Sequence, residues 1–107
     1  MTGQLVMTES GLLQAVRDLA RLQGWDTYHT YRSIRSEPGF PDLVLMRPPL
    51  LLFRELKTDT GRLTVPQRHW IDELAACGQD VGVWRPADLR GGRISAELTR
   101  QRRGGTA

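Results

Sequence analysis

Gly39-Phe40-Pro41-Asp42-Leu43-Val44-Leu45, followed by Leu51-Leu52-Phe53-Arg54-Glu55-Leu56-Lys57, is the stretch on which the fold turns. Both segments are short and rich in Leu, Val and Phe, the composition of buried strands. Between them lie Arg47-Pro48-Pro49-Leu50. Proline cannot donate to a sheet ladder, so the proline pair belongs in the connection. A hairpin symmetric about Pro48 and Pro49 sets Met46 opposite Leu51 and Asp42 opposite Glu55, whether its loop holds two residues or four. Opposed residues on an antiparallel pair have Cβ atoms about 4.5–5.5 Å apart. Two carboxylates that close repel, and one must keep its proton unless a cation sits between them. Strand alternation puts Lys57 on the face of Glu55. Two acids and a lysine thus converge on one spot, as in a metal site with a cationic neighbour. The competing reading makes Asp42 a loop cap and Glu55–Lys57 an ordinary surface ion pair.

The bulk composition frames this. A chain of 107 residues makes one domain with a modest core. Its boundaries are expected at residues 1–100, with 101–107 a disordered basic tail. The single cysteine, Cys77, excludes an internal disulfide framework. No apolar run reaches the ~18–20 residues that cross a bilayer, and the start lacks the pattern of a signal peptide. These features lead us to expect a cytoplasmic protein, of a bacterium or a phage-infected host. The net charge of +3 equals the contribution of Arg100, Arg102 and Arg103, so the body through Thr99 is neutral. Nucleic-acid binding therefore rests on where charges lie rather than on their sum. Of the 15 basic residues only Lys57 is a lysine. A chain that otherwise uses arginine keeps the compact ammonium at one place.

Outward from the centre, Met1 to Met7 reads as a lead-in. Thr8 is a fitting N-cap for a helix to about Gln23, with an apolar stripe of Leu12, Leu13, Val16, Leu19, Ala20 and Leu22. Gly24 stops it. Glu9, in the first turn, is explained by the helix dipole alone. Trp25 to Ile34 reads as the first strand. Tyr28 and Tyr31 are expected partly in the core and His29 as a plain strand histidine, while Arg32 and Arg35 are candidate phosphate contacts. Ser36-Glu37-Pro38-Gly39 is a loop that sets Asp42 at the mouth of the site, Gly39 allowing close approach of a ligand. Arg54 faces away from Glu55 and should pair with an acid or reach water. Thr58 to Leu63 is a polar turn in which Arg62 is another candidate phosphate contact.

Thr64-Val65-Pro66-Gln67 opens a helix to about Cys77, with Thr64 and Gln67 forming a capping box and Pro66 in the first turn. Capping alone explains Gln67. Arg68 follows it as a further candidate DNA contact. Trp70, Ile71, Leu74 and Ala75 form the apolar face, with His69 outside. Asp80 to Trp84 is a fourth strand. Short helical turns follow at Pro86–Leu89 and Ile94–Arg100.

Pro41-Asp42 with Glu55-x-Lys57 resembles the PD-(D/E)xK nuclease superfamily. The wider set is similar to its VRR-NUC family, over about Thr8 to Arg90. That set adds Glu9 and Gly24-Trp25, then Gly61-Arg62-Leu63-Thr64-x-x-Gln67 and Val81-x-Val83-Trp84-Arg85-Pro86. The resemblance implies an α/β domain with a restriction-endonuclease-like core: helix, three strands, helix, strand, around a mixed sheet. It implies a metal-dependent DNA endonuclease, structure-specific for branched DNA, including Holliday-junction resolvases that work as homodimers. Alternatives are a monomeric nickase or flap nuclease, and a catalytically silent nucleic-acid-binding module.

Phosphodiester hydrolysis calls for a divalent metal that neutralises charge and lowers the pKa of water. Mg²⁺, with Mn²⁺ as substitute, takes hard oxygen ligands. Asp42 and Glu55 supply carboxylates, and the resemblance adds the Leu56 carbonyl and brings Glu9 and Gln67 to the site. Lys57 would orient the attacking water or stabilise charge on the phosphate, since two neighbouring acids favour its ammonium form.

Overall fold

The structure, a computed structural model, describes residues 6–31 and 35–101. Helix α1 (Glu9–Leu22) is followed by strands β1 (Asp26–His29), β2 (Leu43–Arg47) and β3 (Leu50–Leu56). Helix α2 (Val65–Ala76), strand β4 (Asp80–Trp84) and short helices α3 (Pro86–Arg90) and α4 (Arg93–Leu98) complete the chain. The sheet order is β1-β2-β3-β4. β1, β2 and β3 run antiparallel, and α2 carries the chain across to β4, which pairs parallel with β3. The expected α/β architecture with a mixed sheet is the one observed.

The hairpin register is the one that the proline pair dictates. Met46 faces Leu51 and Leu43 faces Arg54, with Pro48 and Pro49 alone in the loop. Alternation then sorts the side chains. Leu43, Leu45, Leu52, Leu56 and Trp84 point to one side and are buried against Leu12, Val16 and Ala20 of α1 and Ile94 and Leu98 of α4. Each such side chain contributes about 1.5–3 kcal/mol by leaving water. Arg54 shares this side. Its guanidinium lies 5.1 Å from the Trp84 ring centre and donates to Asp80 Oδ1 at 2.8 Å and Glu97 Oε1 at 2.9 Å. It is therefore paired with acids, the first of the two outcomes expected for it.

The opposite side is only partly covered, by α2. Phe40 stacks edge-on between Phe53 and Trp70, with ring centres 6.1 and 5.2 Å away. Farther along the hairpin Met46 and Leu51 remain exposed. Tyr28 and Tyr31 correct the sequence expectation. They are 61% and 73% exposed: Tyr28 lies on β1, a short strand at the edge of the sheet, and Tyr31 lies beyond its end. The strand ends at His29, not Ile34; positions 32–34, Arg32 among them, lie outside the described residues, as do 1–5 and the tail 102–107. Leu22, 80% exposed at the last turn of α1, and exposed Ala75 drop out of the expected apolar faces.

Helix ends follow their caps. Thr8 Oγ1 accepts from Gly11 N at 3.0 Å, and Gly24 turns the chain out of α1 at φ +84°. The last helix is anchored from afar, since Trp25 Nε1 and Arg47 Nη1 both donate to the Leu98 carbonyl, at 2.8 and 3.1 Å. Among the described residues no helix is long and apolar enough to cross a membrane.

Candidate active site

β3 and β4 run parallel, and their carboxyl ends mark where a site forms in such sheets. Lys57 directly follows β3, and its N–H donates to the Trp84 carbonyl at 3.1 Å. Asp42 precedes β2, which runs the other way, so it arrives at the same end. Two ties hold it there: the Leu56 N–H donates to Asp42 Oδ2 at 2.8 Å, and Thr30 N–H donates to the Asp42 carbonyl at 2.8 Å. Gly39, at φ +95°, lies so close to the first turn of α2 that a Cβ there would come 2.4 Å from the Pro66 carbonyl carbon. The close approach expected of Gly39 is thus to the protein's own helix, and it packs the 36–40 loop on α2. Trp70 Nε1 adds a bond to the Pro38 carbonyl at 3.0 Å.

Glu55 sits at the centre, 2% exposed. Its Oε2 accepts from Gln67 Nε2 at 3.0 Å and lies 3.9 Å from Lys57 Nζ. Lys57 is itself buried, so this is no surface ion pair. Burial, and next the Asp42 carboxyl beside it and within hydrogen-bonding reach, push Glu55 up to about 8. Glu9 adds to the rise, and Lys57 opposes it without prevailing. Without a cation between the two carboxyl groups, Glu55 therefore favours its protonated form at neutral pH.

Gln67 corrects a choice made from sequence, where capping sufficed. Its amide does both tasks at once. Oε1 accepts from the Thr64 N–H at 2.9 Å while Thr64 Oγ1 accepts from the Gln67 N–H at 3.2 Å, completing the capping box. Nε2 is left over, and it is the end that meets Glu55. A capping side chain with two ends can also aim the helix at a site.

Two carboxyl groups side by side, with Glu55 raised by the charge beside it, are a hard-oxygen donor set that suits Mg²⁺, which takes one or two carboxylates and fills the rest with waters and substrate oxygens. Among the described residues no group of three His, Cys, Asp or Glu side chains forms a ligand cluster. Glu9 instead lines a cavity of about 190 Å³ together with Asp42 and Leu56. Of the candidate phosphate contacts, Arg35, Arg62 and Arg68 are exposed, Arg62 between Lys57 and α2 and Arg68 next to Gln67.

Two residues gain importance that the sequence did not suggest. His29 borders Asp42 on both sides, lining the 190 Å³ cavity and a second of about 490 Å³. Arg85, following β4, clamps the 58–63 turn, donating to the Thr58 and Gly61 carbonyls at 2.6 and 2.7 Å. Asp59 completes the clamp by accepting from the Ala87 N–H at 2.8 Å. A strand-end arginine before a proline carries no local signal of this long-range role.

Residues 7–88 match the VRR-NUC domain family profile. A solved structure described as a VRR_NUC domain protein superposes with a TM-score of 0.68 at 20% identity, over 88% of this chain and 92% of that one. No curated protein matches the sequence significantly.

Proposed function

The chain belongs to the VRR-NUC family, a nuclease-type domain, and we propose that it is a metal-dependent DNA endonuclease acting on branched DNA. The observation that carries the proposal is the half-buried Asp42 carboxyl beside the buried Glu55, with Lys57 3.9 Å from Glu55. The pair has an acid too many for its own stability, and a divalent cation would relieve the excess.

Asp42, Glu55 and the Leu56 carbonyl would hold the cation, Mg²⁺ or in its place Mn²⁺. When bound, such a cation supplies charge neutralisation at the phosphate and a lowered water pKa. Lys57, buried and 3.9 Å from Glu55, would orient the attacking water and stabilise charge on the phosphate. Gln67 holds Glu55 in orientation through Nε2, and its place is fixed by the capping box. Glu9, at the mouth of the neighbouring cavity, would complete the acidic surround through water. Arg32, Arg35, Arg62 and Arg68 are assigned to phosphates along the strand, contacts that position DNA without reading sequence. A homodimer suits a four-way junction, since one site cuts one strand and a 12.1 kDa body offers little surface to grip such a substrate. A cytoplasmic setting completes the proposal.

Cleavage of a labelled four-way junction, flap, linear duplex and single strand tests it, each with Mg²⁺, Mn²⁺ or EDTA. Metal-dependent cutting of a branched substrate, lost in Lys57→Ala, is the expected result. Cutting of unbranched DNA alone removes the branched assignment. Binding without cutting in any metal replaces the enzyme by a silent binding module.

A further inference from the structure

The segment that joins β3 to α2 leaves Glu55 and returns to it. Lys57 begins it, with Nζ 3.9 Å from Glu55 Oε2, and Gln67 closes it, with Nε2 3.0 Å from the same oxygen. Positions 57–64 belong to no helix or strand. No regular ladder of backbone bonds fixes their path, so side chains must do so. The near end is held where the Lys57 N–H meets the Trp84 carbonyl, and the far end by the capping box of Thr64 and Gln67. Arg85 holds the middle.

Arg85 directly follows Trp84, so its backbone leaves the sheet beside that of Lys57. It is itself rooted there. Its N–H donates to Asp88 Oδ2 at 2.8 Å, and Pro86 after it is fully buried. One nitrogen of the guanidinium, Nη1, donates to two carbonyls, those of Thr58 at 2.6 Å and Gly61 at 2.7 Å. Bonds from a charged donor are stronger than those between neutral groups. Thr58 is the neighbour of Lys57 in sequence, and Gly61 is its neighbour in space. A Cβ on Gly61 would come 3.5 Å from Lys57 Cδ and 3.0 Å from Thr58 Oγ1. A single donor thus draws both ends of the turn together and sets Gly61 against the stem of the lysine. The other tie of this turn lies on its exposed outer side, where Asp59 accepts from the Ala87 N–H and from Arg90, each at 2.8 Å.

We propose that Arg85 is a positioning residue for Lys57: its grip on the two carbonyls keeps the 58–63 turn folded against the lysine stem and so fixes the ammonium beside Glu55. The role rests on the nuclease reading, in which Lys57 addresses the attacking water and the phosphate. Arg85 acts through main-chain carbonyls, so the role requires a donor nitrogen at that place. Small displacements of a group so employed are costly, about 100-fold in rate for roughly 1 Å.

Two substitutions probe the grip. Arg85→Met keeps an apolar stem and removes the donor, whereas Arg85→Lys keeps a charged donor nitrogen at a shorter reach. Asp59 still ties the turn to α3 in both, so both are expected to fold, which thermal melting checks. Without metal or DNA, hydrogen exchange of the 58–63 amides should quicken in Arg85→Met while β3 and β4 stay protected. With Mg²⁺ and saturating branched DNA, Arg85→Met should cut roughly 10–100-fold more slowly, the scale of losing a support behind a site residue. At saturation that loss is one of rate and not of binding. Arg85→Lys should recover part of it. Arg90→Ala, which opens only the exposed pair with Asp59, should cut at the wild-type rate. A wild-type rate in folded Arg85→Met overturns the assignment. So do unchanged exchange in the turn, no recovery in Arg85→Lys, or an equal loss in Arg90→Ala. If Arg85→Met does not fold, a folded Arg85→Lys decides: a reduced rate at saturation upholds the role, and a wild-type rate assigns Arg85 to the fold alone. Should the wild-type protein cut no substrate with either metal, the nuclease reading fails and the positioning role falls with it.

Discussion

Arg54 and Glu55 are adjacent on one strand and almost equally buried, at 3% and 2% exposed, yet their surroundings differ in kind. Arg54 faces two acids, Asp80 and Glu97, and these are shared with Arg100 and Arg93. Burial works against both carboxylates, but hydrogen bonds from Arg100 and Arg54 hold Asp80, and bonds from Arg54 and Arg93 hold Glu97, below the usual carboxylate range. Glu55 faces Asp42, with Lys57 as the one buried cation beside it among the described residues, and it is raised to about 8. One side of the strand is a balanced ion cluster and the other an unbalanced one. Balance is what folding alone favours, because an uncompensated buried charge is strongly destabilising. A fold that keeps an imbalance at one end of its sheet gives up stability there, as functional sites commonly do.

The contrast breaks most visibly at Asp42. Asp42→Asn keeps an oxygen for the Leu56 N–H but removes the competing charge. Cleavage should fall at least about 100-fold, the scale of losing one electrostatic stabiliser, while the metal-free protein melts at the same or a higher temperature. Arg54→Met on the other side should do the reverse. It leaves Asp80 and Glu97 short of a buried partner, with a loss of about 3 kcal/mol in urea unfolding, the low end for a broken buried pair because Arg93 and Arg100 remain. The fraction still folded should cut DNA at an unchanged rate. If Asp42→Asn is destabilising by as much as Arg54→Met, the two clusters are alike and the contrast is false.

The hairpin made this contrast legible early. Pro48-Pro49 fixed a symmetric turn, and the turn fixed which residues oppose each other; strand alternation then separated Arg54 from Glu55. Period-two logic needs no tertiary information. What stayed hidden depended on contacts distant in sequence. Arg85 reaches back over more than 20 positions to the 58–63 turn, and Trp70 reaches Pro38. The exposure of Tyr28 and Tyr31 could not be read from their own strand, since aromatic residues suit a buried and an open face equally until the covering helix is placed. His29 looked ordinary because it borders Asp42 only in the fold, 13 positions farther along the chain at the end of the connection to β2.

The two clusters should also act on opposite arms of a stability–pH curve. Asp80 and Glu97 have lowered folded pKa values, so their contribution is present above the ordinary carboxylate range and is lost as pH falls through it. Glu55 has a raised one. Between about 4.5 and about 8 the folded protein holds a proton that the unfolded chain releases, so stability declines as pH rises through that window. Urea unfolding without metal, followed from pH 3 to 9, should therefore peak on the acidic side of neutrality (roughly pH 5). Saturating Mg²⁺ should flatten the neutral arm, because a ligand that binds only the folded state adds stability by mass action. A metal-free curve flat from pH 5 to 8 would show that Glu55 is not strained.

Gln67 offers the smallest and finest probe, because its amide serves stability with one end and the site with the other. Gln67→Glu retains an oxygen to accept from the Thr64 N–H, so the cap survives, but it replaces the donor to Glu55 with a further negative charge. Gln67→Ala loses both. Cap loss costs about 1 kcal/mol, and loss of a positioning bond to a metal-binding carboxylate costs roughly 10–100-fold in metal affinity or activity. Gln67→Ala should show both deficits. Gln67→Glu should keep near-normal stability at pH 5, where the introduced acid can be protonated, and lose it toward pH 8 as three carboxyls crowd Lys57. Its cleavage should be no better than that of Gln67→Ala at neutral pH. Full activity in Gln67→Glu would mean that Gln67 serves only its helix, and that Glu55 is held in place by Asp42 and Lys57 without it.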